Sequence, residues 1–168
     1  MKKRIAIIDA LGAYGSSHHF YLFGKISGIL DDIEVNLYTN NNTKVPEKDN
    51  LYCYYFFKDI FTSRHKIISL LRWMIGTVSS ILHARISSIK IFHFHTFNIN
   101  IMLLFQVLLV KIFFSRIVLT IHDVLPFSEK SSSSFLVQCV FRLTDVICTH
   151  NNFSKNEIKK INPKLKVN

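Results

Sequence analysis

The sequence contains few of the residues on which small disulfide-linked or metal-bound proteins depend. Only three cysteines occur among 168 residues, at the widely separated positions Cys53, Cys139 and Cys148, and no two form a CxxC pair. An odd number at such spacing argues against a disulfide framework and against cysteine-based metal or redox chemistry. We therefore expect three reduced, mostly buried thiols in a cytosolic protein.

Several motifs that would assign a function directly are also absent. The chain has no GxGxxG or P-loop pattern, no GxSxG, no aromatic RNA-binding motif and no zinc finger. Dinucleotide binding, ATP hydrolysis, serine hydrolase chemistry and nucleic-acid recognition are therefore disfavoured. The basic start at residues 1–4 precedes only about five apolar residues, too few for a signal peptide, so we expect a cytoplasmic chain.

Acidic residues are scarce relative to basic ones. Eleven Asp and Glu stand against 21 Lys and Arg, which gives a formal net charge of +10. This imbalance favours an anionic partner, and a phosphorylated ligand, an anionic membrane surface and nucleic acid all satisfy it. Hydrophobic residues make up 49% of the chain, enough for one core, so residues 1–168 are expected to form a single domain.

The most informative stretch is Ile117 to Ile121, which reads Ile-Val-Leu-Thr-Ile. It is too short and too rich in β-branched residues for a helix, and it is typical of a strand buried on both faces of a parallel sheet. His122 and Asp123 follow directly. Ligands bind at the carboxyl ends of such strands, so these two residues are the first candidates for a functional site.

A second candidate segment lies near the amino terminus. Residues 3–9 predict a strand, residues 10–15 form a loop containing Gly12 and Gly15, and Ser16 or Ser17 can cap a helix from His18 to about Leu30. A strand, glycine loop and helix in this order direct backbone N–H groups and a helix dipole at whatever lies over the loop. The usual occupant is a phosphate or a sugar.

Strands and helices alternate through the rest of the chain. Further strands are predicted at residues 33–38, 51–57, 90–94, 144–149 and 165–168, and helices at residues 61–86, 99–114, 135–143 and 156–161, the last with Ser154 and Glu157 at capping-box spacing. This alternation predicts an α/β fold, an open parallel sheet with helices on both faces.

Two apolar segments could contact a membrane. The run at residues 99–114 contains Asn100, Gln106 and Lys111, is shorter than the ~20 residues of a spanning helix and is predicted to be a buried crossover helix. Residues 67–82 are interrupted by Arg72. Any membrane contact is therefore expected to be peripheral.

The helix at residues 61–86 carries a polar set on one side. Arg64, His65, Arg72, Ser79 and His83 fall within about 100° of one another on a helical wheel, opposite much of the Ile and Leu surface. Two interpretations remain open for this set. It is either a solvated face or a basic face that lies against anionic lipid headgroups.

Two histidines end the strand at residues 90–94. His93 and His95 share one face because strand side chains alternate, a geometry compatible with two metal ligands. No Cys, Asp or Glu lies nearby in sequence to complete a ligand shell. We therefore predict that these histidines line a polar pocket or are structural, and that no metal is bound.

Four motifs in this order resemble one known family. They are the glycine loop after the first strand, His93-Phe94-His95-Thr96, Val118-Leu119-Thr120-Ile121-His122-Asp123 with Pro126, and residues 144–149 followed by Asn152-Phe153-Ser154-Lys155. The sequence resembles the N-terminal domain of a GT-B fold glycosyltransferase of the retaining family 4 type. The resemblance implies that the sheet is Rossmann-like and forms one half of a GT-B fold.

The resemblance also implies an activity. Such enzymes transfer a sugar from a nucleotide-sugar, a co-substrate rather than a cofactor, to a glycan or lipid-linked acceptor, here in surface polysaccharide biosynthesis at the inner face of the plasma membrane. The implied catalytic residues are His122, which would contact the donor sugar, and Asp123. The implied substrate-binding residues are Gly12, Gly15, Ser16, His18, His19 and His95.

The sequence departs from the family at two places. Ala13 and Tyr14 separate the loop glycines, and the C-terminal donor-binding domain with its E-x7-E pattern does not occur within the 168 residues. One reading is half of an active transferase that works when joined to a C-terminal domain. The alternative is a non-catalytic truncated remnant, or the binding subunit of a split glycosyltransferase.

Overall fold

The computed structural model of this chain describes residues 2–12, 32–45, 47–121, 135–149, 152–163 and 165–167. Seven strands and four helices lie within these ranges. In chain order they are β1 (Lys3–Asp9), β2 (Ile33–Thr39), β3 (Leu51–Tyr54), α1 (Lys66–Ile86), β4 (Ile91–Thr96), α2 (Ile101–Ile112), β5 (Arg116–Ile121), α3 (Phe135–Leu143), β6 (Val146–Cys148), α4 (Asn152–Ile161) and β7 (Lys166–Val167). The helix predicted from His18 lies outside them.

The chain divides into two units, residues 1–90 and 91–168. In the first unit the strand order is β3-β2-β1, and in the second it is β4-β5-β6-β7. The strand pairs within each unit are parallel. Parallel neighbours joined through helices make an open α/β sheet of the Rossmann-like type, so the predicted fold class is confirmed.

Strands β1 and β2 of the first unit are buried through consecutive residues. Ile7, Val35 and Leu37 form a core cluster, and residues 35–39 of β2 are all buried. Consecutive burial means that both faces of the strand are covered, which is why its sequence is apolar without strict alternation.

The second unit is built around β5, as the sequence predicted. Ile117, Leu119 and Ile121 are fully buried, and Thr120, on the opposite face, is buried as well. The carboxylate of Asp145 holds the start of this strand, because its Oδ2 accepts hydrogen bonds from the backbone N–H of Ile117 at 2.7 Å and from Lys111 Nζ at 2.6 Å. The end of α2 and the start of β6 are thereby fixed to β5.

Helix α1 begins five residues later than predicted, at Lys66 rather than Phe61. A turn precedes it, in which Asp59 has a φ of +54° and Thr62 Oγ1 donates to the Asp59 carbonyl at 3.0 Å. His65 is the residue before the helix and has extended backbone angles. The left-handed residue redirects the chain, so the apolar periodicity that starts at Phe61 does not continue as helix.

Two members of the polar set proposed for α1 contact neighbouring residues, while Arg64 and His65 are exposed, so both interpretations of the set stay predictions. Arg72 Nη1 donates to the carbonyl oxygen of Asp59 at 2.7 Å, which ties this side chain to the preceding turn. His83 packs against the rings of Tyr38, Tyr54 and Phe56, with centroid distances of 5.7, 4.4 and 5.5 Å. The set is therefore partly structural, because Arg72 and His83 contact protein.

Several other element predictions also need correction. Helix α2 is buried on one face only, through Leu103, Val107 and Val110, while Ile101 and Ile112 are exposed. The predicted capping box of α4 is wrong, because the helix begins at Asn152 and places Ser154 inside its first turn, where it is buried.

Strand ends differ by two or three residues from those predicted. β3 ends at Tyr54 rather than Phe57, and β4 extends through His95 to Thr96 rather than ending at Phe94. The three cysteines are free thiols as expected, but each is half-buried rather than mostly buried.

Candidate functional site

The first unit presents a polar cluster where β1 and β2 end side by side. Asp9 at the end of β1 is in register with Thr39 at the end of β2. The loop of residues 10–12 follows β1, and residues 40–43 follow β2. The carboxyl edge of a parallel sheet is where ligands bind in this architecture, so these two loops form the candidate site of the first unit.

Asn40 clamps the glycine loop from the neighbouring strand. Its Nδ2 donates to the carbonyl oxygens of Ala10 at 3.1 Å and Leu11 at 2.7 Å. Its Oδ1 accepts from the backbone N–H of Asn42 at 2.9 Å and from Thr43 Oγ1 at 3.2 Å. All four hydrogen-bonding sites of the buried amide are used, which fixes the course of the loop immediately before residue 13.

Gly12 occupies a position that admits no side chain. Its φ is +48°, and a Cβ added there would lie 1.9 Å from Thr43 Oγ1 and 2.7 Å from both Asn40 Nδ2 and Thr39 Oγ1. Its N–H donates to Asp9 Oδ1 at 3.1 Å. Because that N–H is already bonded inside the loop, Gly12 contributes through its conformation and its closeness to β2.

The second unit presents a row of polar side chains across three strands. His95 of β4 is in register with Thr120 of β5, which in turn is in register with Cys148 of β6. Register partners in parallel strands project to the same face of the sheet. The row therefore runs across one face of the sheet, and its middle member, Thr120, stands two residues before His122.

Thr120 is the central member of this row. His93 Nε2 and Thr120 Oγ1 are 2.9 Å apart and hydrogen-bonded. Burial raises the pKa of the Cys148 thiol, and a hydrogen bond to Thr120 opposes that rise. His93 is thus a structural histidine that orients Thr120, which is one of the two roles predicted for it.

His93 is uncharged at neutral pH. Burial lowers its pKa to about 4, because a low-dielectric surrounding disfavours the imidazolium form. A histidine with so low a pKa is a poor proton acceptor at pH 7, but it is a stable hydrogen-bonding partner. Its role is therefore to position Thr120 rather than to transfer a proton.

His95 lies closer to the end of β4 than His93. It is half-buried, and its ring centroid is 6.1 Å from that of Phe97 in an edge-to-face arrangement. The turn after the strand is closed by Thr96 Oγ1, which donates to the Asn98 carbonyl at 2.7 Å. His95 thus stands at the carboxyl edge predicted for it. Within the ranges described above, no group of three or more His, Cys, Asp or Glu residues could hold a metal ion.

The structure places only part of the predicted site. Gly12 lies in the first unit and His95 in the second, whereas Gly15, Ser16, His18, His19, His122 and Asp123 fall outside the described residues. Sequence reasoning missed Asn40, Thr43 and Thr120. Asn40 directly follows an apolar strand, and Thr120 is the single hydroxyl within an apolar one, so both carried a signal that a search for histidines and glycines overlooked.

Sequence comparison alone identifies no relatives. No protein-family model matches the chain, and no curated protein is significantly similar to it.

Solved structures, in contrast, match over most of the chain. Sucrose-phosphate synthase from Thermosynechococcus elongatus matches with a TM-score of 0.63 at 9% identity over 99% of this chain and 47% of its own. A UDP-glucosyltransferase from Polygonum tinctorium that glucosylates indoxyl matches with a TM-score of 0.58 at 9% identity, over 99% of this chain and 52% of its own. MurG from Acinetobacter baumannii matches with a TM-score of 0.56 at 10% identity, over 90% of this chain and 42% of its own.

These matches concern fold, since their sequence identities are near 10%. The chain spans about half the length of each of these proteins. This chain thus has the Rossmann-like fold found in glycosyltransferases of the GT-B type, as its motifs predicted.

Proposed function

We propose that this chain is the acceptor-side, N-terminal domain of a retaining glycosyltransferase of the hexosyltransferase type. The observation that carries the proposal is the pattern of coverage. Solved glycosyltransferases match 90% or 99% of this chain, while the chain spans only 42% to 52% of their length. A GT-B enzyme works in a cleft between two Rossmann-like domains, so a second domain would supply the donor nucleotide site.

The substrates follow from the proposed activity. The donor is a nucleotide-sugar, which acts as co-substrate without a separate cofactor, and the acceptor is a glycan or a lipid-linked sugar in surface polysaccharide biosynthesis. The net charge of +10 supports both a phosphorylated donor and an anionic membrane surface. The proposed location is the cytoplasm, at the inner face of the plasma membrane.

The glycine loop is proposed to approach the donor. Gly12, Gly15 and Ser16 would face the donor phosphates and sugar, with His18 and His19 on the acceptor side. The clamp by Asn40 supports this role, because two of its hydrogen bonds hold residues 10 and 11, so the start of the loop can meet a ligand without first becoming ordered. Preorganisation of this kind lowers the entropic cost of binding.

His122 is proposed as the residue that contacts the donor sugar, with Asp123 orienting it. A neutral imidazole exchanges hydrogen bonds with sugar hydroxyls, and a charged one would stabilise negative charge that develops on the leaving phosphate. His95 would line the same edge of the sheet. The hydrogen-bonded pair of His93 and Thr120 supports this role, because it fixes the strand that leads directly into His122.

The DNA that follows codon 168 tests the proposal. We expect an in-frame extension of about 150 to 200 residues, a domain's worth, with an E-x7-E pattern. A stop codon with the pattern surviving only in a shifted frame would favour the truncated remnant. The same pattern at the start of a neighbouring gene would favour a split enzyme, and its absence from every frame and neighbour would contradict the proposal.

A further inference from the structure

Helix α1 carries large aliphatic side chains on its outward face. Ile67, Ile75 and Ile86 are 74%, 64% and 83% exposed, and Leu71 and Leu82 between them are also exposed. These five residues, the outer ridge, follow one another at spacings of four or seven positions, so they stack on one side of the helix. At 1.5 Å per residue the ridge is about 28 Å long.

The inward face of the same helix combines two large apolar residues, Trp73 and Ile81, with small and partly polar ones. Gly76, Thr77, Ser80 and Ala84 are buried, and Ser80 Oγ donates to the Gly76 carbonyl at 2.7 Å. A Cβ at Gly76 would lie 2.7 Å from the ring of Phe57, so the helix backbone packs directly on residues 56 and 57. The helix thus packs closely on the protein through its small residues, while the five aliphatic side chains of the outer ridge remain exposed.

An exposed apolar surface of this kind indicates a binding partner. Monomeric soluble proteins rarely expose a contiguous apolar patch of this length unless it binds something. By length and composition alone α1 could cross a membrane. Its inner face, however, is packed against the first unit, so the helix can offer only its outer side to an apolar phase.

The charges around the ridge identify the partner. Residues 66–86 contain no Asp or Glu. Exposed Arg64 and Lys66 lie at one end of the ridge, and Arg85 and exposed Lys90 lie at the other. An apolar stripe with cations at both ends is the composition of a helix that lies in a bilayer interface, with aliphatic side chains among the acyl chains and cations on lipid phosphates.

A second copy of the chain fits this ridge poorly. Parallel pairing of two α1 helices would bring Lys66 to Lys66, and antiparallel pairing would bring Lys66 to Arg85. Neither arrangement offers an acidic residue on the helix to balance these charges. Like charges at both ends of a helical pair oppose association, which leaves an anionic surface as the complementary partner.

We propose that the outer ridge of α1 docks on an anionic lipid bilayer, lying parallel to the membrane plane at the boundary between headgroups and acyl chains. This inference goes beyond sugar transfer and names the surface that would bring the domain to a membrane. It is argued from α1 alone, so its failure would leave the proposed transferase activity untouched.

Sedimentation of the purified chain with vesicles tests the docking site. Vesicles of mixed phosphatidylglycerol and phosphatidylcholine are compared with pure phosphatidylcholine at low salt. The double variant Leu71→Gln/Ile75→Gln removes two ridge residues. The matched control Phe135→Gln/Phe153→Gln removes two exposed apolar side chains on α3 and α4.

We expect the wild type and the control to bind the anionic vesicles equally, and the ridge variant to bind at least ten-fold more weakly because two apolar side chains no longer enter the interface. Binding should fall as salt is raised. Equal binding by ridge variant and wild type would overturn the proposal, as would equal affinity for pure phosphatidylcholine. Self-association that the ridge variant abolishes, without vesicle binding, would assign the ridge to a second copy and overturn it as well.

Discussion

At the scale of single residues, two positions show how the candidate site is held. Gly12 is required by its conformation, and His93 by its hydrogen bond to Thr120. Neither residue needs to touch a substrate to affect one. Each fixes the backbone at the carboxyl end of a strand, where ligands bind in this architecture.

Gly12→Ala should destabilise the chain by about 2 kcal/mol or more, because alanine is strained at positive φ and its methyl group would overlap Thr43 Oγ1. Urea denaturation measures the loss. The double variant Gly12→Ala/Thr43→Ala should recover part of it, since the closest overlap is then relieved while the backbone strain remains. An unchanged unfolding midpoint for the single variant would contradict the loop geometry.

His93 should make stability depend on pH. Its pKa is lowered from 6.5 to about 4 in the folded chain, so the unfolded state binds the proton first as the pH falls. Its contribution is fully present above pH 6.5 and is lost progressively as the pH falls towards 4. Urea denaturation gives the free energy of unfolding of the wild type and of His93→Gln at neutral and acidic pH. On acidification, the wild type should lose about 2 kcal/mol more than the variant. Parallel pH profiles would place the histidine in contact with solvent.

At the scale of elements, burial explains which predictions succeeded. Strands β1 and β5 were predicted nearly to the residue, because runs such as Ile117–Ile121 are apolar only when both faces are covered. Helix α1 was predicted with the wrong start, and its inner face was not predicted. Hydropathy assigns the Ile and Leu side to the core, but here Gly76, Ser80 and Ala84 allow the helix to pack closely on Phe57.

Gly76→Ala tests this packing. Alanine favours helix by about 1 kcal/mol over glycine, but its Cβ would lie 2.8 Å from the backbone oxygen of Phe56, which cannot move aside cheaply. We expect the overlap to prevail and to lower the free energy of unfolding by about 1 to 2 kcal/mol. The control Ser79→Ala, at a half-buried position of the same helix, should be neutral or slightly stabilising. A higher free energy of unfolding for Gly76→Ala would mean that α1 lies farther from Phe56 and Phe57 than described above.

At the scale of the whole molecule, the sequence predicted the fold class, whereas most of the predicted site lies outside the described residues and stays a prediction. The alternation of strands and helices predicted an open α/β sheet, the family resemblance implied that it is Rossmann-like, and the solved structures confirm that fold. Asn40 and Thr120 each carried a sequence signal, but their hydrogen-bonding partners could not be assigned from sequence. Their importance comes from neighbours across strands, such as Ala10 and Leu11 for Asn40, and pairing between strands is not written in local periodicity.

The most direct test of the central claim is an assay of nucleotide-sugar turnover. The assayed protein is this chain together with the domain encoded after codon 168 or by a neighbouring gene. Release of nucleoside diphosphate is measured over a panel of nucleotide-sugars with a lipid extract as acceptor. We predict release from at least one donor and a loss of about 100-fold in His122→Ala with unchanged stability, since one group that stabilises the transition state contributes that much. No release from any donor, or full activity in His122→Ala, would contradict the account.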